Sequence, residues 1–223
     1  MLLTCDVRRA RPTCAVRRAR GALAGSWKPG ADLRLFLGIA LTPELKAAAA
    51  KMSARARAAV DKAAPRAPIR WVDPENLHIT TWFLGEMDDE QVRRLHALLE
   101  VPFATKRFAM RLEGVGTFPP SGRPRVIWIG ISRGTEPMVA LYGELAERLP
   151  TLGFEPERRA YSPHLTLARV KEIRAADAAA VRRALGSVRF PAADGDVEHV
   201  TLFRSRLSPK GSQYEALLRV PLQ

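Results

Sequence analysis

One order of elements, strand, helix, His-x-Thr strand, helix, strand, runs through this chain twice, and that duplication limits the fold more than any single motif does. In the first copy an apolar run, Leu33 to Ala40, stops at Thr42-Pro43, where Thr caps a helix and Pro suits its first position. The helix is Ala-rich, runs from Pro43 to about Ala63, and ends before Pro65 to Pro68. Leu77 to Leu84 is a strand closed by Gly85. Asp88-Asp89-Glu90 opens an amphipathic helix to about Glu100, its acids suited to the positive end of the helix dipole, and Phe108 to Phe118 is a strand. The second copy begins with the apolar run Arg125 to Ser132, which repeats the Arg start and the late Gly of the first. A helix from about Thr135 to Leu149, a strand over Pro163 to Val170, a helix over Ala175 to Leu185 and a strand from Val197 to Leu207 follow.

The chemistry sits on the third element of each copy. Side chains alternate across a strand, so His78 and Thr80 share one face, and His164 and Thr166 share another. If the copies pack about a pseudo-two-fold axis, the two imidazoles face each other across one cleft. One can then take a proton from water while the other gives one to a leaving oxygen, as in-line displacement at phosphorus requires. The threonine hydroxyls can donate to non-bridging oxygens without ionising. A third match, His199-Val200-Thr201, falls on the fifth element, whose counterpart Phe108 to Phe118 has no histidine. It reads as an ordinary strand histidine, as His96 reads as a helix one. A zinc site built on two histidines would lack a third protein ligand, so no metal or other cofactor is expected.

Composition narrows the setting. The chain has 223 residues, 47% hydrophobic, enough for one sizeable core, and no run approaches the roughly 18 apolar residues of a membrane span. Its two cysteines, Cys5 and Cys14, cannot build a disulfide framework, and a reducing, cytoplasmic setting is expected. A net charge of +13 favours polyanionic partners. Residues 1–32 carry seven Lys or Arg against two Asp and no apolar stretch fit for a secretory signal. They read as a disordered extension or as a start assigned too far upstream. The rest, 33–223, is expected to form a single bilobal domain with repeat halves at about 33–118 and 125–207, acting as a monomer.

Taken together, the paired His-x-Thr strands resemble the two-histidine phosphoesterase superfamily. The run Trp71 to Thr80 leading into Phe83-Leu84-Gly85 is similar to the bacterial and archaeal RNA 2',3'-cyclic phosphodiesterases, also called 2'-5' RNA ligases. So are Arg34-Leu35-Phe36, Phe118-Pro119, Tyr161 to Arg169, and Ser205-Arg206-Leu207 with Gly211 and Tyr214. The resemblance implies an α+β fold of two pseudo-symmetric lobes, each a mainly antiparallel sheet with helices outside, around a central catalytic groove. It implies metal-independent opening of RNA 2',3'-cyclic phosphates to 2'-phosphomonoesters, with reversible 2'-5' joining of RNA, tRNA halves included. His78 and His164 would be catalytic and Thr80 and Thr166 phosphate-binding. Because the 3' oxygen must leave, His164 is assigned as the base for water and His78 as the acid.

Three further positions follow from the same resemblance. Arg169 matches an active-site position, although strict alternation from His164 puts it on the opposite face, so a bulge or the strand end must turn it inward. Phe36 and Tyr161 match aromatics that could stack on a base, and both equally fit a packed core. Trp71, Trp82 and Trp128 read as packing. Arg123 and Arg125, beside the loop Pro119 to Pro124, read either as RNA-backbone contacts or as solvated charges.

Other chemistries lack their residues. There is no Gly-x-Ser-x-Gly elbow and no phosphate loop, and Gly114-Val115-Gly116 lacks a third glycine for a dinucleotide site. An RNA-binding or RNA-handling protein of the same fold, with incidental turnover, is the alternative to an enzyme, since a basic groove holding a phosphate has the same residues.

Overall fold

A computed structural model describes residues 33–208 and 211–223. The extension 1–32, with Cys5 and Cys14, lies outside the described residues. Nine strands, β1 (Leu33–Ala40), β2 (Ile69–Trp71), β3 (His78–Met87), β4 (Phe108–Phe118), β5 (Val126–Arg133), β6 (Leu165–Val170), β7 (Ala193–Val197), β8 (His199–Ser208) and β9 (Gly211–Pro221), join in one antiparallel sheet. Its order is β7-β4-β5-β6-β3-β1-β8-β9, with β2 paired to β6.

The helices form where the sequence expects them. In α1 (Pro43–Ala63), the Thr42 hydroxyl accepts from the Leu45 amide at 3.3 Å, Pro43 occupies the first turn, and Leu45, Ala49, Met52, Ala56 and Val60 form the buried stripe. Asp88 and Gln91 close a capping box at the start of α2 (Asp89–Leu99), which buries Val92, Leu95 and Leu99. The helix α3 (Thr135–Arg148) buries Met138, Leu141 and Leu145, and α4 (Ala175–Ser187) buries Ala178, Val181 and Leu185. These stripes share one core with Leu35, Leu37, Ile39, Ile79, Ile127, Ile129 and Leu165 of the sheet. None of the described helices is long and apolar enough to cross a membrane.

The pseudo-two-fold runs between β3 and β6, the middle of the sheet. Strand order relates β3 to β6, β1 to β5 and β4 to β8 across it. The halves of the sheet are therefore not the halves of the sequence. The last strand of the first repeat, β4, pairs with β5 of the second, while β8 of the second returns to pair with β1 of the first. This exchange ties the two halves together through main-chain hydrogen bonds.

Register also revises the likeness between the two opening runs. Phe36 pairs with Phe83, and Val126 pairs with Arg169, so Val126 is the counterpart of Phe36 and Trp128 that of Gly38. The shared Arg start and late Gly do not mark equivalent positions, because pairing with the neighbouring strands, not glycine spacing, sets the register. Gly38 is fixed by close approach instead: a Cβ there would lie 2.7 Å from the Ile79 carbonyl oxygen.

Candidate active site

Ile79 pairs with Leu165 across the central seam, and both side chains are fully buried. In an antiparallel pair the residues flanking such a pair point to the other face. His78, Thr80, His164 and Thr166 are accordingly all half-buried on the groove side. Ordinary sheet geometry sets diagonal neighbours across such a seam roughly 7–8 Å apart.

Each histidine strand then repeats one irregularity. Between Leu37 and Gly38 the β1–β3 register skips Thr81, and between Ile127 and Trp128 the β5–β6 register skips Leu167. The same burial order results in both copies, from His78 to Leu84 and from His164 to Val170: half-buried, buried, half-buried, buried, buried, exposed, buried. A bulge reverses the alternation beyond it. Arg169 is thereby returned to the side of His164 and Thr166, the first of the two routes considered from sequence. Phe83 is its pseudo-symmetric counterpart, 60% exposed beside Phe36 with ring centroids 6.3 Å apart.

The imidazoles are held alike. Nδ1 of His78 lies 2.7 Å from the Asn76 carbonyl, and Nδ1 of His164 lies 2.7 Å from the Ser162 carbonyl. A carbonyl only accepts, so Nδ1 carries the proton in each ring and Nε2 is turned to the groove. Nε2 of His78 is 3.0 Å from the Thr80 hydroxyl. Around His78 stand Phe36 at 4.8 Å, Tyr214 edge-on at 4.9 Å and Phe203 at 5.7 Å between centroids. Phe118 meets His164 edge-on at 5.0 Å. Burial among these rings pushes both histidines below the ordinary imidazole value. The carbonyl hydrogen bonds oppose that shift, and the Arg169 charge adds to it at both rings. One guanidinium thus acts on both imidazoles. Among the described residues no hydrogen bond or ion pair engages the Arg169 side chain.

The two expected stacking residues are placed differently. Phe36 is 4% exposed, with Phe203 stacked on it at 5.0 Å and Tyr214 edge-on at 5.1 Å, so its ring is occupied by protein. Tyr161 stacks on Tyr142 at 4.5 Å, and its hydroxyl donates to the Thr80 carbonyl at 2.9 Å. Its phenol is pushed up by burial. Both rings support the walls of the groove rather than offer a free face. Trp82 stacks on Tyr142 at 5.0 Å, Trp128 packs on Phe118 at 5.0 Å and Trp71 is partly buried against the core, as packing residues would. Arg123 and Arg125 are exposed.

His199 sits 4.0 Å from Glu198 and lines a separate cavity with Lys46, Glu75, Asp196, Glu198 and Arg219. That cavity touches none of the four His-x-Thr side chains of the seam. His96 lies 3.7 Å from Glu100 on α2. No group of three or more potential metal ligands occurs among the described residues. Asn76, Ser162, Tyr214 and Phe83 lie in runs that carry the family resemblance, but strand alternation gives none of them a role; the doubled bulge is the signal that turns Phe83 to the face of His78 and Thr80.

The profile of the family described as LigT like Phosphoesterase matches the chain twice, over residues 44–128 and 129–214. An RNA 2',3'-cyclic phosphodiesterase of Methanocaldococcus jannaschii is 34% identical over 186 residues, 83% of this chain and 98% of that protein. One of Archaeoglobus fulgidus is 39% identical over 150 residues, 67% of this chain and 81% of the relative. Among solved structures, TT0787 of Thermus thermophilus superposes with a TM-score of 0.62 at 29% identity, covering 85% of this chain and 98% of that one. E. coli LigT complexed with 3'-AMP gives a TM-score of 0.62 at 25% identity, covering 86% and 99%. The chain belongs to the LigT-like, two-histidine phosphoesterases.

Proposed function

We propose that this chain hydrolyses RNA 2',3'-cyclic phosphate ends to 2'-phosphomonoesters, the activity named for its relatives, by two-histidine acid/base catalysis. The observation that carries the mechanism is geometric: the Ile79–Leu165 pair sets His78, Thr80, His164 and Thr166 on one face at the seam, and the bulge at Leu167 turns the Arg169 guanidinium to the same face. A phosphate beside that guanidinium lies within the field that both rings feel.

In this reading Nε2 of His164 takes a proton from the attacking water. His78 takes part as the imidazolium, with protons on both ring nitrogens, and its Nε2, beside the Thr80 hydroxyl, delivers a proton to the departing 3' oxygen. The bond from water to phosphorus forms as the bond from phosphorus to the 3' oxygen breaks, leaving the phosphate on the 2' oxygen. Thr80, Thr166 and Arg169 hold the non-bridging oxygens, whose charge persists through the transition state. That charge compensation leaves no step requiring a metal. With an RNA 5'-hydroxyl in place of water the same transfers join two strands through a 2'-5' linkage. Incubation with a 2',3'-cyclic phosphate RNA end in EDTA, followed by identification of the phosphate position in the product, tests the reading.

A further inference from the structure

We propose that Arg70 on β2 forms, beside Arg169, a second phosphate subsite that takes the phosphodiester on the 5' side of the terminal nucleotide. This rests on the cyclic phosphodiesterase reading for the identity of the ligand.

Among the described residues, strand β2 has no counterpart beside β3 in the other half of the sheet. Its central residue, Arg70, pairs directly with Arg169. Directly opposed residues of an antiparallel pair share a face, with Cβ atoms roughly 4.5–5.5 Å apart. The bulge at Leu167 has already placed Arg169 on the groove face, so Arg70 stands there too. Both side chains are exposed. Like charges placed directly opposite repel, and a protein ordinarily separates them or sets a carboxylate between them. Among the described residues neither guanidinium has an ion pair or a hydrogen bond. Two unpaired guanidiniums on one face make an anion site open to solvent.

The pair is not equivalent with respect to the histidines. Arg169 acts on both imidazoles, whereas Arg70 is not among the charges that shift either ring. Strand β2 meets β6 only over Ala168–Val170, past the Leu165 seam and the His164–Thr166 stretch, so Arg70 lies outward of the reacting phosphorus along the groove. An RNA end supplies an anion at that position, the phosphate joining its last two nucleotides. A free nucleoside cyclic phosphate supplies none.

The test compares wild type, Arg70→Ala and Arg70→Lys for binding of two product-state probes, a dinucleotide ending in a 2'-phosphate and the corresponding nucleoside 2'-phosphate, across a salt series. Arg70→Ala should weaken dinucleotide binding about 5- to 10-fold and lower its salt dependence by about one ion contact. Nucleoside 2'-phosphate binding should stay unchanged, which also reports a folded groove, and Arg70→Lys should restore most of the salt dependence. Unchanged dinucleotide binding, or an equal loss on both probes, overturns the subsite. Turnover of the cyclic forms by wild type is scored separately. Its absence would count against the catalytic reading and leave the subsite to be decided by binding.

Discussion

Ile79 and Leu165, two fully buried side chains on different repeats, face each other at the pseudo-two-fold of the sheet, and the groove chemistry radiates from that pair. Because both are held in the core, their neighbours have only the groove to occupy. A shift of either strand at this seam would carry its histidine and threonine with it.

Arg169→Gln should change the pH profile as well as the rate. Burial and then the Arg169 charge depress both histidines, so in the free enzyme both limbs of the kcat/KM profile lie below the ordinary imidazole range near 6.5. Removing the positive charge makes each imidazolium easier to form, so both pKa values rise and both limbs move to higher pH. A drop of about 10- to 100-fold in kcat/KM should accompany the move. A profile that keeps its position while the rate falls would assign Arg169 to phosphate alone.

Thr80→Val and Thr166→Val should each cost less than loss of a histidine, about 1–3 kcal/mol in transition-state stabilisation by kcat/KM. Thr80→Val removes the hydroxyl 3.0 Å from His78 Nε2, so it should perturb the pH profile more than Thr166→Val does.

Phe36 and Phe83 pair in register yet should behave oppositely. Phe36→Ala empties a ring site 4% exposed and should destabilise the fold by about 3–5 kcal/mol in denaturant titrations. Phe83→Ala removes a ring 60% exposed and should leave stability within about 0.5 kcal/mol while raising KM for RNA, as loss of a stacking face does. A large stability loss at Phe83 would make it a packing residue.

Gly38→Ala should disturb β3 from the groove face, because Gly38 pairs with Thr80 and its Cβ would lie 3.5 Å from Phe203. The same Cβ would meet the Ile79 carbonyl at 2.7 Å, a main-chain atom of β3 that cannot yield cheaply. About 1–3 kcal/mol of destabilisation and a reduced kcat are expected, since the displaced residue lies between His78 and Thr80.

Much of this was legible in the sequence because apolar periodicity and caps are local. The run Leu33–Ala40 and the strand Phe108–Phe118 match their expected bounds, and Thr42 caps as read, while Asp88, expected to open its helix, is the N-cap before it. The elements missed depend on partners instead. Ile69–Trp71 is three residues long after Pro68, and Ala193–Val197 contains Asp-Gly-Asp, poor strand formers that β4 recruits through pairing and the Arg111–Asp194 bridge of 2.9 Å. In Gly211–Pro221 the register against β8 shifts between Leu202 and Phe203, breaking the alternation that marks a strand. The His-x-Thr pairs were readable because two residues of one strand share a face whatever the partner. Phe83 and Arg70 were not, since a bulge turns the first and only the β2–β6 pairing places the second.

The most direct measurement follows a 2',3'-cyclic phosphate RNA end in EDTA with wild type, His78→Ala and His164→Ala, checking that each variant keeps the wild-type melting temperature. The account predicts a 2'-phosphomonoester from wild type and a loss of at least about 100-fold in kcat for each variant. Undiminished turnover in either folded variant, or wild type that binds the RNA and leaves the ring closed, would contradict it.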